Sequence, residues 1–572
     1  MQKGIPQVMD VSSIKSILHH LSGNLLPSKF EAAQQPDSNT IQLCFRSANK
    51  VVWIEVSWQA DCARIIEIER PEKVGTESTL SKQLKYGLKY MALVSIKQEN
   101  FERVIKFSFA KKPGDNTIKY LIFELMGKHS NIFYVDKNYK IIAAGKQIKS
   151  SQSSFRTIST GSKYSEPPKI FKKEPDEKES YESWRKSIYS ISQPLKYCLI
   201  NNYQGISLIL TAQIEALSDL QNKDIMNVNI ELISEDNLKK IYLSWVIWIK
   251  RFKSNQFNFS TFNNFFYCVW FFNSEVNNSK EINLAKGLAD YYDHFLNLKQ
   301  VESIYENTVK LIYRLRKIEN KNYDNQVSLL INSENHQSYK DKADLIFLNP
   351  NLKKQDILEA QKLYKKSKKL KRAINLIKDR KNIHKNKLER LDEFNSLLEN
   401  TNSLRIETLK SKINLLKELR EEICSEFNIK LKKLRVQKKI KYLSNSLPME
   451  IKTPKGLIIQ IGRNMRQNEL VSFKFSKKGD IWFHAQEAPG SHVVLKSSSK
   501  VAHDEDIQIA ADVAALFSSA KGNIKVPVNQ VKVKDLQKIS KGGPGCVTYK
   551  NVQILWGNPT RGKEYIKKDI TN

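Results

Sequence analysis

The chain has 572 residues, 40% of them hydrophobic, and carries a formal net charge of +34 at pH 7 with a pI near 9.6. The length is too great for one compact domain and predicts roughly three to five. No run of about 18 apolar residues exists, which excludes a helix crossing a bilayer.

The charge predicts a polyanionic partner, because neutralising phosphates releases their condensed counterions. Nucleic acid comes first, an anionic membrane surface second, and a basic protein that is merely soluble third. Met1 to Asp10 lacks the charged-then-apolar pattern of a secretory signal, so the expected location is cytoplasmic. The six cysteines, Cys44, Cys62, Cys198, Cys268, Cys424 and Cys546, are scattered without a C-x-x-C pair. That argues against zinc ribbons and disulfide frameworks and predicts reduced thiols. The histidines show no metal-ligand spacing, so neither metal nor cofactor is expected.

The expected fold class is multidomain α+β. Residues 1–170 read as a mixed α/β domain. Ile14 to Leu25 has helical spacing, and Ile41–Phe45 and Val51–Val56 are strand-like around a polar turn. Leu80, Leu84 and Leu88 recur as on a helix, and Phe101–Phe109 reads as a strand. A turn at 111–116 leads to strands at Tyr120–Met126, Asn131–Val135 and Ile141–Ala144. Pro167-Pro168 and the charged run Lys172–Glu179 mark a boundary.

Residues 180–280 read as a helical domain, with core segments at Ile241–Ile249 and Phe265–Phe272. Residues 281–440 read as a coiled-coil and middle region. A helix from Ile282 to Glu319 is followed by a break over 321–354 and a second helical stretch from Ile357. Residues 361–440 hold 24 Lys/Arg against 10 Asp/Glu. Leu409, Ile413, Leu416, Leu419, Ile423 and Phe427 follow coiled-coil-like spacing. An ordinary helical bundle with a solvated basic face is the alternative. Asn395–Ser403 is expected to interrupt the helix as a hairpin tip or kink.

Residues 447–560 read as a small α+β domain. Its strands are expected at Gly456–Ile461, Val471–Phe475, Ile481–Ala485, His492–Leu495, Val531–Val533 and Val547–Leu555, with an alanine-rich helix at Ile507–Ser519.

No P-loop and no nucleophile–base–acid spacing can be read, so binding rather than catalysis is expected. Gly542-Gly543-Pro544-Gly545 after Lys541 either presents backbone N–H groups to phosphate or forms a tight turn; the local sequence favours the turn. In Asp480-Ile481-Trp482-Phe483-His484-Ala485, a strand places Trp482 and His484 on one face. Beside so many lysines, that face suits stacking on nucleobases. Trp482 packed under a helix is the equal alternative.

Two long runs carry a family resemblance. The run Leu121 to Ile132, with Glu124-Leu125-Met126-Gly127-Lys128-His129-Ser130-Asn131 inside it, followed by Arg156, Gly161, Tyr164 and Pro167-Pro168, resembles the signature of the NFACT N-terminal domain. Asp480 to Ala485 with Pro489-Gly490-Ser491-His492-Val493, then Lys541 to Gly545, resembles the NFACT RNA-binding domain. The runs stand in the family's order at opposite ends of the chain.

The resemblance implies a ribosome quality-control factor. It would bind large ribosomal subunits obstructed by peptidyl-tRNA, recruit tRNA (alanyl-tRNA in bacteria) and support template-free tailing of the nascent chain. A small RNA-binding helper protein is implied as a further partner, and no membrane. The family's Asp-Arg motif for tRNA matches Glu102-Arg103 here, with Glu in place of Asp, and the family's early acidic residue matches Asp10. Trp482, His484, His492 and Lys541 are the RNA-contact candidates of the C-terminal domain. A helix-hairpin-helix element is implied around Asn202–Ser207, and the family's middle insertion looks trimmed near Lys342–Lys353.

Two rivals come from other classes. A glycosylase-like nucleic-acid enzyme would need a proline nucleophile at its N-terminus, where this chain reads Met1-Gln2. A fibronectin-binding surface adhesin would call for a secretion signal, an anchor or repeats.

Overall fold

The computed structural model describes residues 6–571 except 75–77, 149–150, 152–155, 169–170, 190–191, 219, 221–223, 263–265, 272–282, 349–352, 404–407, 430–446 and 541, and the side chains of 402–403 and 567–571. The described residues divide into two compact units, one ending at Leu296 and one beginning at Asn297.

The first unit opens with α1 (Val11–Leu25), whose Ile14, Ile17, Leu18, Leu21 and Leu25 recur at three- and four-residue spacing and are all buried. Then come β1 (Ser28–Asp37), β2 (Thr40–Arg46), β3 (Val51–Ser57), β4 (Arg64–Ile68), α2 (Thr79–Gly87), β5 (Ala92–Gln98), β6 (Val104–Ala110), β7 (Lys119–Glu124), β8 (Asn131–Asp136) and β9 (Ile141–Ala144). They form one nine-stranded sheet in the order β4-β3-β2-β1-β5-β6-β7-β8-β9, with every neighbouring pair antiparallel.

The strand expected from Phe101 begins only at Val104. Residues 101–103 belong to the β5–β6 turn, where Asn100 sits at φ +43° and the Glu102 amide donates to the Glu99 carbonyl at 2.8 Å. That places Glu102 and Arg103 on a loop.

Helices α3 (Tyr181–Ile188), α4 (Leu195–Asn202), α5 (Leu208–Leu217) and α6 (Glu235–Ser254) follow, then the hairpin β10 (Ser260–Phe262) and β11 (Phe266–Cys268), and the start of α7 (Leu284–Glu334). These elements share one hydrophobic core with the sheet. Trp248 of α6 donates through Nε1 to Ser12 Oγ at 2.9 Å, and Tyr292 of α7 donates to the Gln7 carbonyl at 2.7 Å. The boundary expected near residue 170 therefore lies between two parts of a single core.

In the second unit α7 is followed by α8 (His336–Phe347), α9 (Lys354–Ser403) and α10 (Leu409–Glu426). The break expected over 321–354 is absent through Glu334, and α8 continues to Phe347; Pro350 lies outside the described residues. Asparagine costs a helix only a few tenths of a kcal/mol, and contacts with α9 outweigh that cost. Glu319 meets His384 at 2.6 Å and Lys387 at 3.2 Å, and Lys381 lies over the Tyr323 ring. Rising numbers on α7 meet falling numbers on α9, so the pair is antiparallel. Nor does Asn395–Ser403 interrupt α9: Leu397 and Leu398 are buried there among Leu315, Leu416 and Leu419 of α7 and α10. This part of the seam is a three-helix bundle core.

The C-terminal part carries β12 (Met449–Lys452), β13 (Ile458–Ile461), α11 (Met465–Glu469), β14 (Ile481–Ala485), β15 (Val493–Leu495), α12 (Asp504–Leu516), β16 (Val526–Lys532), β17 (Leu536–Lys538), β18 (Val547–Tyr549), β19 (Gln553–Gly557) and α13 (Pro559–Thr571). Six strands form an antiparallel sheet in the order β12-β13-β15-β14-β16-β19, and α12 buries Ile509, Val513 and its alanines against one face. Val471–Phe475, expected as a strand, continues α11 as a wide helical turn. The reason is a double cap at its start. Asn464 Oδ1 accepts from the Gln467 amide, and the Glu422 carboxylate of α10 accepts from the Met465 and Arg466 amides at 3.0 and 3.2 Å.

Burial pushes the Glu422 carboxyl up to about 7 against those bonds. Its folded value lies above the unfolded one, so its contribution to stability is full below about 4.5 and lost as pH rises to about 7. The urea midpoint of the second unit, followed by circular dichroism, is expected to fall over that window. Glu422→Gln flattens the fall; an unchanged slope in that variant refutes the assignment.

Candidate nucleic-acid interface

In the first unit, chain topology gathers the N-terminal sequence signals around the β5–β6 turn. Asp10 is the N-cap of α1 and accepts from the Ser13 amide and hydroxyl, both at 2.8 Å. It is 3% exposed, and burial raises its carboxyl above the usual range. Arg103 is half-buried; burial lowers its guanidinium, while the charges of Asp10 and Glu102 oppose that shift. The buried Asp10 charge therefore acts on Arg103 from inside the protein. Its burial corrects the expectation that Asp10 itself touches RNA.

Glu102 is half-buried and accepts from Gln204 Nε2 at 2.5 Å, so the extra methylene relative to Asp is taken up by a bond to the α4–α5 turn. Gln98 Nε2 donates to the Glu102 carbonyl at 3.0 Å. Phe101 anchors the turn by stacking on Phe252 of α6 at 4.8 Å. On the other flank the Leu125 amide donates to the Arg103 carbonyl at 3.0 Å. The run Glu124–Asn131 thus starts where Glu102-Arg103 ends, although some twenty residues separate them in sequence.

Within that run the roles divide. Glu124 is buried, held by Arg156 Nη2 at 2.8 Å and by the Tyr164 hydroxyl at 2.9 Å. Asn131 Nδ2 donates to the Lys146 carbonyl. Lys128 and His129 are exposed on a turn after Gly127, which sits at φ +59°. Sequence reasoning placed the run in the family signature but did not see that its exposed side chains are these two.

In the C-terminal sheet the stacking expectation for Trp482 is corrected. Trp482 is 1% exposed and packs among Val471, Val494, Val531 and Leu536. Its Nε1 donates to Ser472 Oγ at 3.2 Å, and Ser472 Oγ lies 2.8 Å from His492 Nδ1. His492 is likewise buried, and burial drives its imidazole well below its ordinary value. His484 is half-buried, parallel to Trp482 at 5.7 Å, and burial lowers it to about 4. Both rings are neutral near pH 7 and give no charge to phosphate, and His492 is enclosed in the core. Lys541 lies outside the described residues. The Gly542–Gly545 stretch is a turn: the Gly542 amide donates to the Ile539 carbonyl, the Cys546 amide donates to the Gly543 carbonyl, and Arg390 Nη2 of α9 holds the Pro544 carbonyl at 2.7 Å.

The face that carries Trp482 continues across β16 to the edge strand β19, where Asn529 pairs with Ile554 and Pro527 with Trp556. There it is open: Trp556 is 59% and Ile554 52% exposed. Of the two tryptophans on this face, sequence reasoning singled out the buried one. The alternation Ile554-Leu555-Trp556, with Leu555 packed against the α12 core, was the available signal.

A basic helical bundle joined to an antiparallel sheet that leaves an aromatic edge open describes a multidomain protein built to hold nucleic acid. A family model for the NFACT N-terminal and middle domains matches residues 10–357, and one for the NFACT protein RNA binding domain matches residues 448–551. The chain belongs to the NFACT family. Proteins named Rqc2 homolog RqcH are similar along nearly their whole length. The one from Streptococcus suis is 27% identical over 96% of this chain and 98% of its own, and the one from Bacillus subtilis 24% identical over 95% and 96%. The C-terminal part of a fibronectin/fibrinogen-binding protein from Streptococcus suis, a solved structure, aligns over 46% of this chain and 98% of its own at 27% identity, with a TM-score of 0.38.

Proposed function

We propose that this protein is a ribosome quality-control factor that binds large ribosomal subunits carrying obstructed nascent chains and recruits tRNA for template-free tailing. The observation that carries the reading is the convergence of Asp10, Glu102-Arg103 and the start of the Glu124–Asn131 run on one turn, in a chain of the NFACT family. A half-buried guanidinium that feels the charges of a buried and a half-buried carboxylate suits a phosphate or base edge. The chemistry of peptide-bond formation belongs to ribosomal RNA in this reading, and the protein contributes position. A small RNA-binding helper protein is a further partner. The names of the Streptococcus suis and Bacillus subtilis relatives support the quality-control assignment.

The test is co-sedimentation with separated ribosomal subunits, followed by sequencing of bound RNA. Association with large subunits that weakens steeply with salt is expected, together with enrichment of tRNA. Equal retention by any RNA of similar length overturns the reading.

Within the C-terminal domain, the open edge at Ile554 and Trp556 is the RNA contact of this reading. Trp556→Ala is expected to weaken RNA binding by roughly tenfold, the loss of one stacked base, without lowering the melting temperature. Trp482→Ala instead creates a cavity and destabilises the domain by about 3–5 kcal/mol. Filter binding and thermal melts of both variants check this; RNA affinity unaffected by Trp556→Ala removes the edge strand from the interface.

A further inference from the structure

A concavity of about 960 Å³ opens on the sheet face of β1–β4 in the first unit. Its floor runs across four strands through the cross-strand partners Ala32, Cys44, Trp53 and Ile68. Ala32 and Cys44 are small, which keeps that floor low. The rim is basic: Lys29, Arg70, Lys73 and Lys89 are all exposed. Among the described residues Lys29, Lys73 and Lys89 form no salt bridge. Two of the three rim carboxylates are already engaged, Glu31 with Arg46 and Glu67 with His20 at 3.0 Å.

Tyr90 stands at the mouth, 67% exposed, at φ +65°. A bulky side chain in the left-handed region is an outlier that persists only where its surroundings impose it, and such strain gathers at functional sites. Burial does not reward this ring. The backbone is set by the turn after α2, where the Met91 amide donates to the Leu88 carbonyl at 3.0 Å, and the ring's neighbours are cationic: Lys89 Nζ lies 4.8 Å and Lys29 Nζ 5.2 Å from its centroid. An exposed aromatic face flanked by lysines is the pairing that stacks a nucleobase and neutralises its phosphates. The volume is that of small-molecule sites, roughly 300–1,000 Å³, and admits an unstacked nucleotide. A membrane surface would favour a protruding apolar patch, and here the ring edges a recess.

We propose that this concavity binds an unpaired nucleotide of a single-stranded RNA segment, its base on Tyr90 and its phosphates on Lys29, Lys73 and Lys89. The site is separate from the Glu102-Arg103 turn and does not depend on the tRNA reading.

The test uses the full chain and a 4-thiouridine hexanucleotide, crosslinked by ultraviolet light at elevated salt and mapped by mass spectrometry. A crosslink in the peptide containing Tyr90 is expected. Tyr90→Phe retains it, and Tyr90→Ala lowers its yield about tenfold. Tyr90→Gly relieves the backbone strain, so a loss of crosslink in a variant at least as stable as the parent cannot come from unfolding. Arg103→Ala leaves the crosslink in place, which separates this site from the proposed tRNA contact. Absence of a crosslink near Tyr90, a wild-type yield in Tyr90→Ala, or loss of the crosslink in Arg103→Ala overturns the proposal. Equal displacement by inorganic polyphosphate also overturns it, by showing an anion site without base recognition.

Discussion

Arg103→Ala is expected to abolish recovery of tRNA with the protein while leaving it folded and bound to large subunits. The guanidinium offers a planar fork of donors that suits phosphate or a base edge, and alanine removes it outright. One charge-assisted hydrogen bond contributes about 1.5–3 kcal/mol, so occupancy drops roughly tenfold or more. The structure adds a graded series. Asp10→Asn preserves the cap on Ser13, since asparagine caps as well as aspartate, but removes the charge facing Arg103. As a positioning change it is expected to weaken tRNA recovery less than Arg103→Ala, with an unchanged melting temperature. Glu102→Ala frees Gln204 and follows the arginine variant if the pair acts as a unit. Sequencing of bound RNA with circular dichroism on each variant decides the matter. Wild-type tRNA recovery by a folded Arg103→Ala protein shows that Glu102-Arg103 does not contact tRNA.

Legibility in the sequence followed periodicity. Short apolar runs rich in β-branched and aromatic residues, such as Val51–Val56 and Ile481–Ala485, stand as strands where the sequence places them, and α1 and α12 fall within a few residues of expectation. β1 carries no such signal: Ser28 to Asp37 holds Phe30 and two alanines but no β-branched residue. Pairing on both sides, with β2 and β5, makes it a strand regardless of propensity. The helical middle misled in the opposite direction, because asparagines that look like breaks cost little once α9 packs alongside. At the candidate site, the residues could be named from motifs but not their roles. Asp10 and Arg103 lie 93 positions apart, and nothing local says that the buried charge of one acts on the other. Trp482 and Trp556 have similar flanks in sequence; only the hairpin β17–β18 and the turn after α11, which cover Trp482, separate core from surface.

Gly205→Ala is expected to disable the same turn from a distance in sequence of about a hundred residues. Gly205 lies between α4 and α5 at φ +77°, where an alanine costs about 1–2 kcal/mol for its backbone alone. A Cβ at that position would meet the Phe101 carbonyl oxygen at 2.8 Å and Val11 Cγ1 at 3.0 Å. Backbone on one side and the first residue of α1 on the other leave no flexible group to yield. The displaced atoms directly precede Glu102-Arg103 and directly follow Asp10, so the clash separates the two halves of the site. Loss of tRNA recovery together with a melting temperature lowered by several degrees is expected. Gly161→Ala is the control, because Gly161 is also left-handed, at φ +92°, but a Cβ there meets nothing within 4 Å. It bears the backbone cost alone and keeps its tRNA. Equal tRNA recovery by the two alanine variants, measured below both melting temperatures, shows that close packing of the α4–α5 turn on Phe101 does not set the geometry of Arg103.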